Sequence, residues 1–295
     1  MTSLTPADVA AAADRIAPYA RRTPAIRIEV DGRPLLLKLE YLQRSGSFKL
    51  RGALNALLMA RPDSVVTASG GNHGLAVATA AAILGIPATV FVPETVPFAK
   101  ARRIEAAGAR LVRHGTTYAE AAAAAVAEPG HYVHAYDDPT VVPGQGTSAL
   151  EVIADFPEVE AFYVAVGGGG LAAGTSLAIG DRRTVAVEPE NCCALFRALA
   201  AGKPVDSPVD SVASSALGAT RAGELPFAIL NNDRTSSVLV SDKEMLEARD
   251  FLWEEARIAA EPAAAAPFAA WRDARTTEFS CVIVCGANTD WHPQD

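Results

Sequence analysis

Four short segments hold residue types that a plain hydrophobic core does not call for. In Ser45-Gly46-Ser47-Phe48-Lys49-Leu50-Arg51-Gly52-Ala53, a lysine stands between Phe48 and Leu50 where a helix begins. Desolvation there lowers an amine's pKa and makes it a better nucleophile toward a carbonyl; the plain alternative is a solvated surface lysine. In Ala68-Ser69-Gly70-Gly71-Asn72-His73-Gly74, glycines follow an apolar run and precede a helical one. Backbone N–H groups can approach an anion at such a helix N-terminus, and Ser69, Asn72 and His73 add side-chain hydrogen bonds. The alternative is a tight turn that needs glycine for its geometry alone.

The third segment is Gly167-Gly168-Gly169-Gly170-Leu171. Four successive glycines cost backbone entropy, and a phosphate cradled by their N–H groups accounts for that cost. The same residues satisfy GxGxxA through Gly167, Gly169 and Ala172, with Glu188 ending the next apolar run. Taken alone, this is the grammar of a dinucleotide site and of a nicotinamide-dependent oxidoreductase. The fourth segment is Cys285-Gly286-Ala287-Asn288, just after the run Cys281–Val284. Ligands bind at strand C-termini in open parallel sheets, although an isolated cysteine is more often a small buried hydrophobe.

The elements that must position these segments alternate along the chain. Ser64–Thr67, Thr89–Val92, Phe162–Val166, Thr184–Val187 and Cys281–Val284 are apolar throughout, as strands buried on both faces require. Between them lie helical stretches at Gly74–Leu84, Phe98–Ala107, Tyr118–Ala127 and Leu171–Ile179. The pattern predicts an α/β protein with open, mostly parallel sheets and helices on their faces. Thr5 before Pro6 and Asp8, and Ser241 before Asp242 and Glu244, mark helix starts, the second opening Lys243–Glu255. Lys203–Gly223, rich in Pro, Ser and Gly, reads as a long irregular segment. Trp253 and Trp271 are expected in the core, His131 and His134 at a strand end or in solvent, and Asp137 and Asp138 in a loop.

Of 295 residues, half are apolar and a fifth charged, and 26 basic against 34 acidic groups give a net charge of −8. This composition excludes disordered, collagenous and disulfide-stapled classes, and an acidic pI near 5.2 argues against nucleic acid as a partner. No apolar run reaches membrane-spanning length and the opening residues lack a signal-peptide core, so a cytoplasmic protein without membrane partners is expected. The four cysteines, at 192, 193, 281 and 285, lack paired zinc spacing and are expected to be reduced.

Together the segments resemble the pyridoxal-phosphate enzymes of the tryptophan-synthase β fold (fold type II), and among them the serine/threonine dehydratases or ammonia-lyases. SGSFKLRGA resembles their cofactor-lysine motif and SGGNHG their substrate loop. GQGT at 144–147, GGGGLAAG at 167–174, VEPE at 187–190, PFAKARRIEAAGARLV at 97–112 and VCGAN at 284–288 complete the likeness. The resemblance implies pyridoxal 5′-phosphate as cofactor, carried by Lys49, which also acts as the α-proton base. It implies Phe48 against the pyridine ring, Asn72 on the 3′-oxygen, Gly167, Gly168, Gly169, Gly170 and the Leu171 N–H around the phosphate, and Cys285 facing the ring nitrogen. Ser69, Gly70, Gly71, Asn72 and His73 would hold the carboxylate of a small amino-acid substrate. The implied reaction removes the β-hydroxyl of L-threonine, L-serine or a related 3-hydroxyamino acid to give a 2-oxo acid and ammonia. A neutral thiol at the ring nitrogen suits elimination better than chemistry needing a long-lived carbanion.

The resemblance also implies a homodimer and two units with the cofactor between them: a large one at 1–62 and 139–295, and a small substrate-loop unit at 63–138. Departures from the family pattern shape the expectations. Racemising members carry a second serine where this chain has Gly70, so racemisation is expected to be weak, though a sibling β-elimination, β-replacement or racemase reaction stays open. Members that bind a divalent cation use the glutamate matching Glu188 and an acid six residues on; Ala194 stands there, so no metal is expected. The sequence ends soon after VCGAN, so no C-terminal regulatory domain is expected.

Overall fold

The computed structural model describes residues 4–291. In chain order its strands are β1 (Ala25–Val30), β2 (Arg33–Lys38), β3 (Val65–Ala68), β4 (Ala88–Val92), β5 (Arg110–Arg113), β6 (His131–Tyr132), β7 (Ala161–Ala165), β8 (Arg183–Pro189), β9 (Thr235–Val240) and β10 (Ser280–Ile283). The helices are α1 (Pro6–Ile16), α2 (Lys49–Ala60), α3 (Asn72–Leu84), α4 (Phe98–Ala106), α5 (Tyr118–Ala127), α6 (Val141–Asp155), α7 (Gly170–Ala178), α8 (Ala194–Ala201), α9 (Ser214–Leu217), α10 (Glu224–Leu230), α11 (Asp242–Ala256) and α12 (Pro262–Ala274).

The strands form two sheets, a larger one ordered β1-β2-β10-β7-β8-β9 and a smaller one ordered β5-β4-β3-β6. All pairings are parallel except β1 with β2. The apolar runs become the central strands β3, β7 and β10, buried along their whole length, because helices cover both of their faces. The antiparallel hairpin is an element the sequence analysis does not predict. Its signal is Asp31-Gly32: both residues adopt positive φ, 51° and 72°, as a two-residue hairpin turn requires.

Two other expectations are corrected. Trp271 is buried in the core, but Trp253 is only half-buried and packs edge-on against Trp291 under the Arg257 guanidinium. Residues 203–223 contain the short helix α9 and fold over the loops described below. His131 is the first residue of β6, a strand end, as expected. Asp137 and Asp138 do orient backbone: Asp137 accepts from the Glu224 and Leu225 N–H groups at the start of α10, and Asp138 from Thr140 and Val141 at the start of α6.

A buried charge cluster fixes α2 against the large sheet. Arg51 is 1% exposed and donates to Glu40 (2.8 Å) and Glu151 (2.8 Å), while Lys38 pairs with Glu151 and lies 3.9 Å from Glu40. Burial alone would raise the Glu40 carboxyl, but Arg51 and Lys38 together hold it below the usual carboxylate range.

Candidate active site

The four segments of the sequence analysis meet in one cleft of about 690 Å³ between the two sheets. Phe48, Lys49, Ser69, Gly70, Gly71, Asn72, His73, Gly167, Gly168, Gly169, Gly170, Leu171 and Cys285 all line it. The convergence follows from topology. The loops after β3, β7 and β10 leave the C-terminal ends of parallel strands, where open sheets place ligands.

Lys49 is the first residue of α2. Its preceding loop is pinned to the loop after β10 by the Phe48 N–H donating to Cys285 O (3.0 Å) and by an antiparallel bridge between Ser47 and Gly286. The Lys49 Nζ donates to Ala135 O (2.7 Å) and lies 5.3 Å from the centre of the Phe48 ring. Burial of the amine pulls its pKa down to about 8, against a weaker opposing effect of Cys285. Burial also pushes the Cys285 thiol well above its usual range, with Glu261 adding to the rise, so it stands neutral beside the amine.

The substrate-loop candidates surround the start of α3. Gly71 is its N-cap, and the Ser69 hydroxyl accepts the Gly71 N–H at 3.2 Å. The N–H groups of the first helical turn have no intrahelical partner and can meet an anion. His73 contributes no charge to that task. It is 4% exposed, its Nε2 donates to Val133 O (3.1 Å), and burial first, then nearby Lys49, lower its pKa to about 3.

The glycine loop begins α7. Gly169, the N-cap, has φ +95°, a region that disfavours side chains. A Cβ on Gly168 would stand 2.3 Å from the Tyr136 ring. Tyr136 is thus packed on the loop, and Asp137 ties the same segment to α10. The resulting helix N-terminus presents free N–H groups and the positive end of the helix dipole to the cleft.

Glu188 lies outside the cleft and caps a helix: its carboxyl accepts the N–H groups of Leu195 (2.8 Å) and Phe196 (2.7 Å) at the start of α8. Neither a ribose nor a cation is needed to explain it. The structure adds cleft residues that the sequence analysis does not single out: Tyr136, Ser214 and Ser215 of the 203–223 segment, Lys100, and Glu261. Only Glu261 carried a readable signal, since it precedes Pro262 at a helix start where Ser, Thr, Asp or Asn is the usual cap.

A desolvated amine, a helix N-terminus for a phosphate, a neutral thiol and a second anion-binding helix end fit pyridoxal phosphate. Comparison with known proteins agrees. The family model described as "Pyridoxal-phosphate dependent enzyme" matches residues 16–286. The chain belongs to this family. It is 38% identical to an L-threonine ammonia-lyase of Geobacter sulfurreducens, over 94% of this chain and 74% of that protein. It is 34% identical to a serine racemase of Arabidopsis thaliana, over 87% of this chain and 82% of that one. A solved threonine deaminase from T.th. superposes with TM-score 0.91 at 35% identity, covering 98% of this chain and all of that one. Fold type II, expected from the sequence, is the fold found.

Proposed function

We propose that this protein is a pyridoxal-phosphate-dependent ammonia-lyase that eliminates the β-hydroxyl of L-threonine, L-serine or a related 3-hydroxyamino acid. The observation that carries the reading is the Lys49 amine, desolvated and placed in one cleft with two helix N-termini suited to anions. The ammonia-lyase and threonine deaminase relatives support it. When bound, pyridoxal phosphate supplies the electron sink that acidifies the substrate's α-proton.

The chain's own residues bind, orient and move protons around it. Gly167, Gly168, Gly169, Gly170 and the Leu171 N–H would hold the phosphate. Lys49 would carry the cofactor and serve as the base for the substrate's α-proton, and Phe48 would pack against the ring. Asn72 would donate to the 3′-oxygen, and Cys285, kept neutral by burial, would meet the ring nitrogen without adding charge. The loop Ser69, Gly70, Gly71, Asn72 and His73 holds the substrate carboxylate through backbone N–H groups and the Ser69 hydroxyl. The unit 63–138 closes over the bound substrate and excludes water.

The racemase relative names a second reading. Elimination is favoured because Gly70 has no hydroxyl to offer, and a Cβ there would lie 2.6 Å from Val96 Cγ2. Four free, buried cysteines support a reducing compartment, hence the cytoplasm, and family resemblance supports a homodimer, which sedimentation would test. No helix among the described residues is long and apolar enough to cross a membrane. The deciding experiment measures 2-oxo acid release from L- and D-hydroxyamino acids by wild type and Lys49→Ala. Lysine-dependent release from an L-3-hydroxyamino acid is expected. A cofactor-loaded protein that releases none, or only interconverts enantiomers, overturns the reading.

A further inference from the structure

Glu261 is a buried acid with no ion pair within 4 Å among the described residues, at a helix start that its side chain does not cap. It is 6% exposed and sits at the N-cap of α12, yet its side chain makes no capping hydrogen bond. It turns away from α12 and accepts a hydrogen bond from Asn72 Nδ2 at 2.7 Å. Room for the carboxyl exists because residue 286 is glycine: a Cβ there would stand 2.4 Å from Glu261 Oε1. A buried carboxyl with one neutral donor is costly, and such groups concentrate at functional sites.

The hydrogen bonds around it run in one direction only. Ser45 O can only accept, so the atom of Asn288 that meets it at 2.9 Å is Nδ2. The same Nδ2 meets Asn72 at 2.8 Å, which requires an acceptor there and makes that atom Oδ1. The Asn72 amide therefore turns its Nδ2 toward Glu261, and an ionised carboxylate, which only accepts, locks it so. One N–H goes to Glu261, and Asn72 itself lines the cleft.

We propose that Glu261 is a positioning residue: through Asn72, whose amide it holds in one orientation, it keeps a hydrogen-bond donor directed at the cofactor. The assignment rests on the pyridoxal-phosphate reading of the cleft and goes beyond it by giving Glu261 a role. Protonating Glu261 replaces a charged acceptor with a neutral acid that can also donate, which weakens the hydrogen bond steadying the Asn72 amide and loosens the arrangement. The groups facing this carboxyl are Lys100 and Arg103 of α4, which line the same small cavity, the Cys285 thiol, and the N-terminus of α12. Burial raises the carboxyl's pKa to about 7, against the Asn72 hydrogen bond and the charge of Lys100, so the switch falls near neutral pH.

The test is Glu261→Gln in the holoenzyme, read first without substrate. A fixed N–H donor stabilises the anionic form of the oxygen it faces, so losing its direction raises the pH at which the cofactor's visible band titrates, by about half a unit or more. With substrate, kcat falls at least about tenfold with KM within about threefold, and the acidic limb of kcat near pH 7 disappears. Asn288→Asp, which puts an acceptor against Asn72 Oδ1 and leaves Glu261 in place, moves the band in the same direction. It decides the matter if Glu261→Gln does not fold. An unchanged band titration in the folded variant, with any loss confined to the melting temperature, overturns the proposal. A shifted band in a protein that releases no 2-oxo acid leaves it standing and removes the ammonia-lyase reading instead.

Discussion

The Lys49 amine gives the sharpest prediction, because its state before cofactor attachment is set mainly by burial. With a pKa of about 8, roughly a quarter of it is neutral at about pH 7.5, against about one part in a thousand for an amine at 10.5. Nucleophilic attachment uses the neutral form, so the difference is worth about 240-fold in rate at that pH. The assay is the second-order rate of cofactor uptake by cofactor-free protein, followed by visible absorbance across pH. The rate should climb about tenfold per unit and level off near pH 8. Cys285→Asp supplies the perturbation: a carboxylate in place of the neutral thiol raises the amine's pKa, and each unit of rise lowers uptake at about pH 7.5 roughly eightfold to tenfold. Cys285→Ser, also neutral, should behave as wild type. A rate that keeps climbing past pH 9.5, or an Asp variant that matches the Ser variant, refutes the desolvation argument.

The remaining predictions concern the frame of the site. Gly168→Ala forces the Tyr136 ring aside, so cofactor titration should show affinity weakened by about tenfold, recovered in part by Tyr136→Ala. Gly70→Ser should lower kcat/KM for elimination because the new Cβ meets Val96; Gly70→Ser with Val96→Ala should restore it, and equal losses in both would count against the packing argument. Arg51→Met leaves Glu40 fully buried with Lys38 alone nearby, and urea denaturation should show about 3–5 kcal/mol lost. His73, with a folded pKa depressed to about 3, stays neutral while the unfolded chain takes up a proton below about 6.5. Its contribution is therefore fully present above pH 6.5 and falls by up to about 1.4 kcal/mol per unit as pH drops toward 3; stability measured against His73→Gln isolates that slope.

What could be read from the sequence was whatever leaves a local trace. Buried parallel strands write themselves as unbroken apolar runs, and loops that approach a ligand write themselves as glycines, so β3, β7, β10 and the loops at 69–73 and 167–170 were visible. The strand limits shift by one residue, as expected where hydrogen bonding and not side-chain character sets the end. The β1–β2 hairpin is not predicted although Asp31-Gly32 and the alternation Ile26-Arg27-Ile28-Glu29-Val30 announce it; only the second strand, with Pro34 and the unbroken Leu35–Leu37, departs from the alternating pattern. Glu188 fits a dinucleotide grammar when the glycine loop is taken alone, because a strand-end acid is ambiguous until its partners are known. The structure supplies them as the two N–H groups of α8.

Tyr136, Glu261 and the serines of α9 belong to a different class, since their meaning depends on contacts between residues far apart in the chain. Asn72 and Glu261 are separated by 189 positions, and Asn288 and Ser45 by 243. Their connection is a chain of donors and acceptors in which each member fixes the next, and no local pattern encodes such an order. The sequence names Asn72 as a residue able to meet a ligand, whereas only the folded arrangement says which of its two ends faces Glu261. The same reasoning separates the two lysines of the cleft. Lys100 is one turn into an ordinary amphipathic helix, while Lys49 is made reactive by the loop after β10, which arrives from the far end of the chain to seal its base. Reactivity here is a property of the closed fold, with the motif supplying the atom and the distant strand supplying its environment.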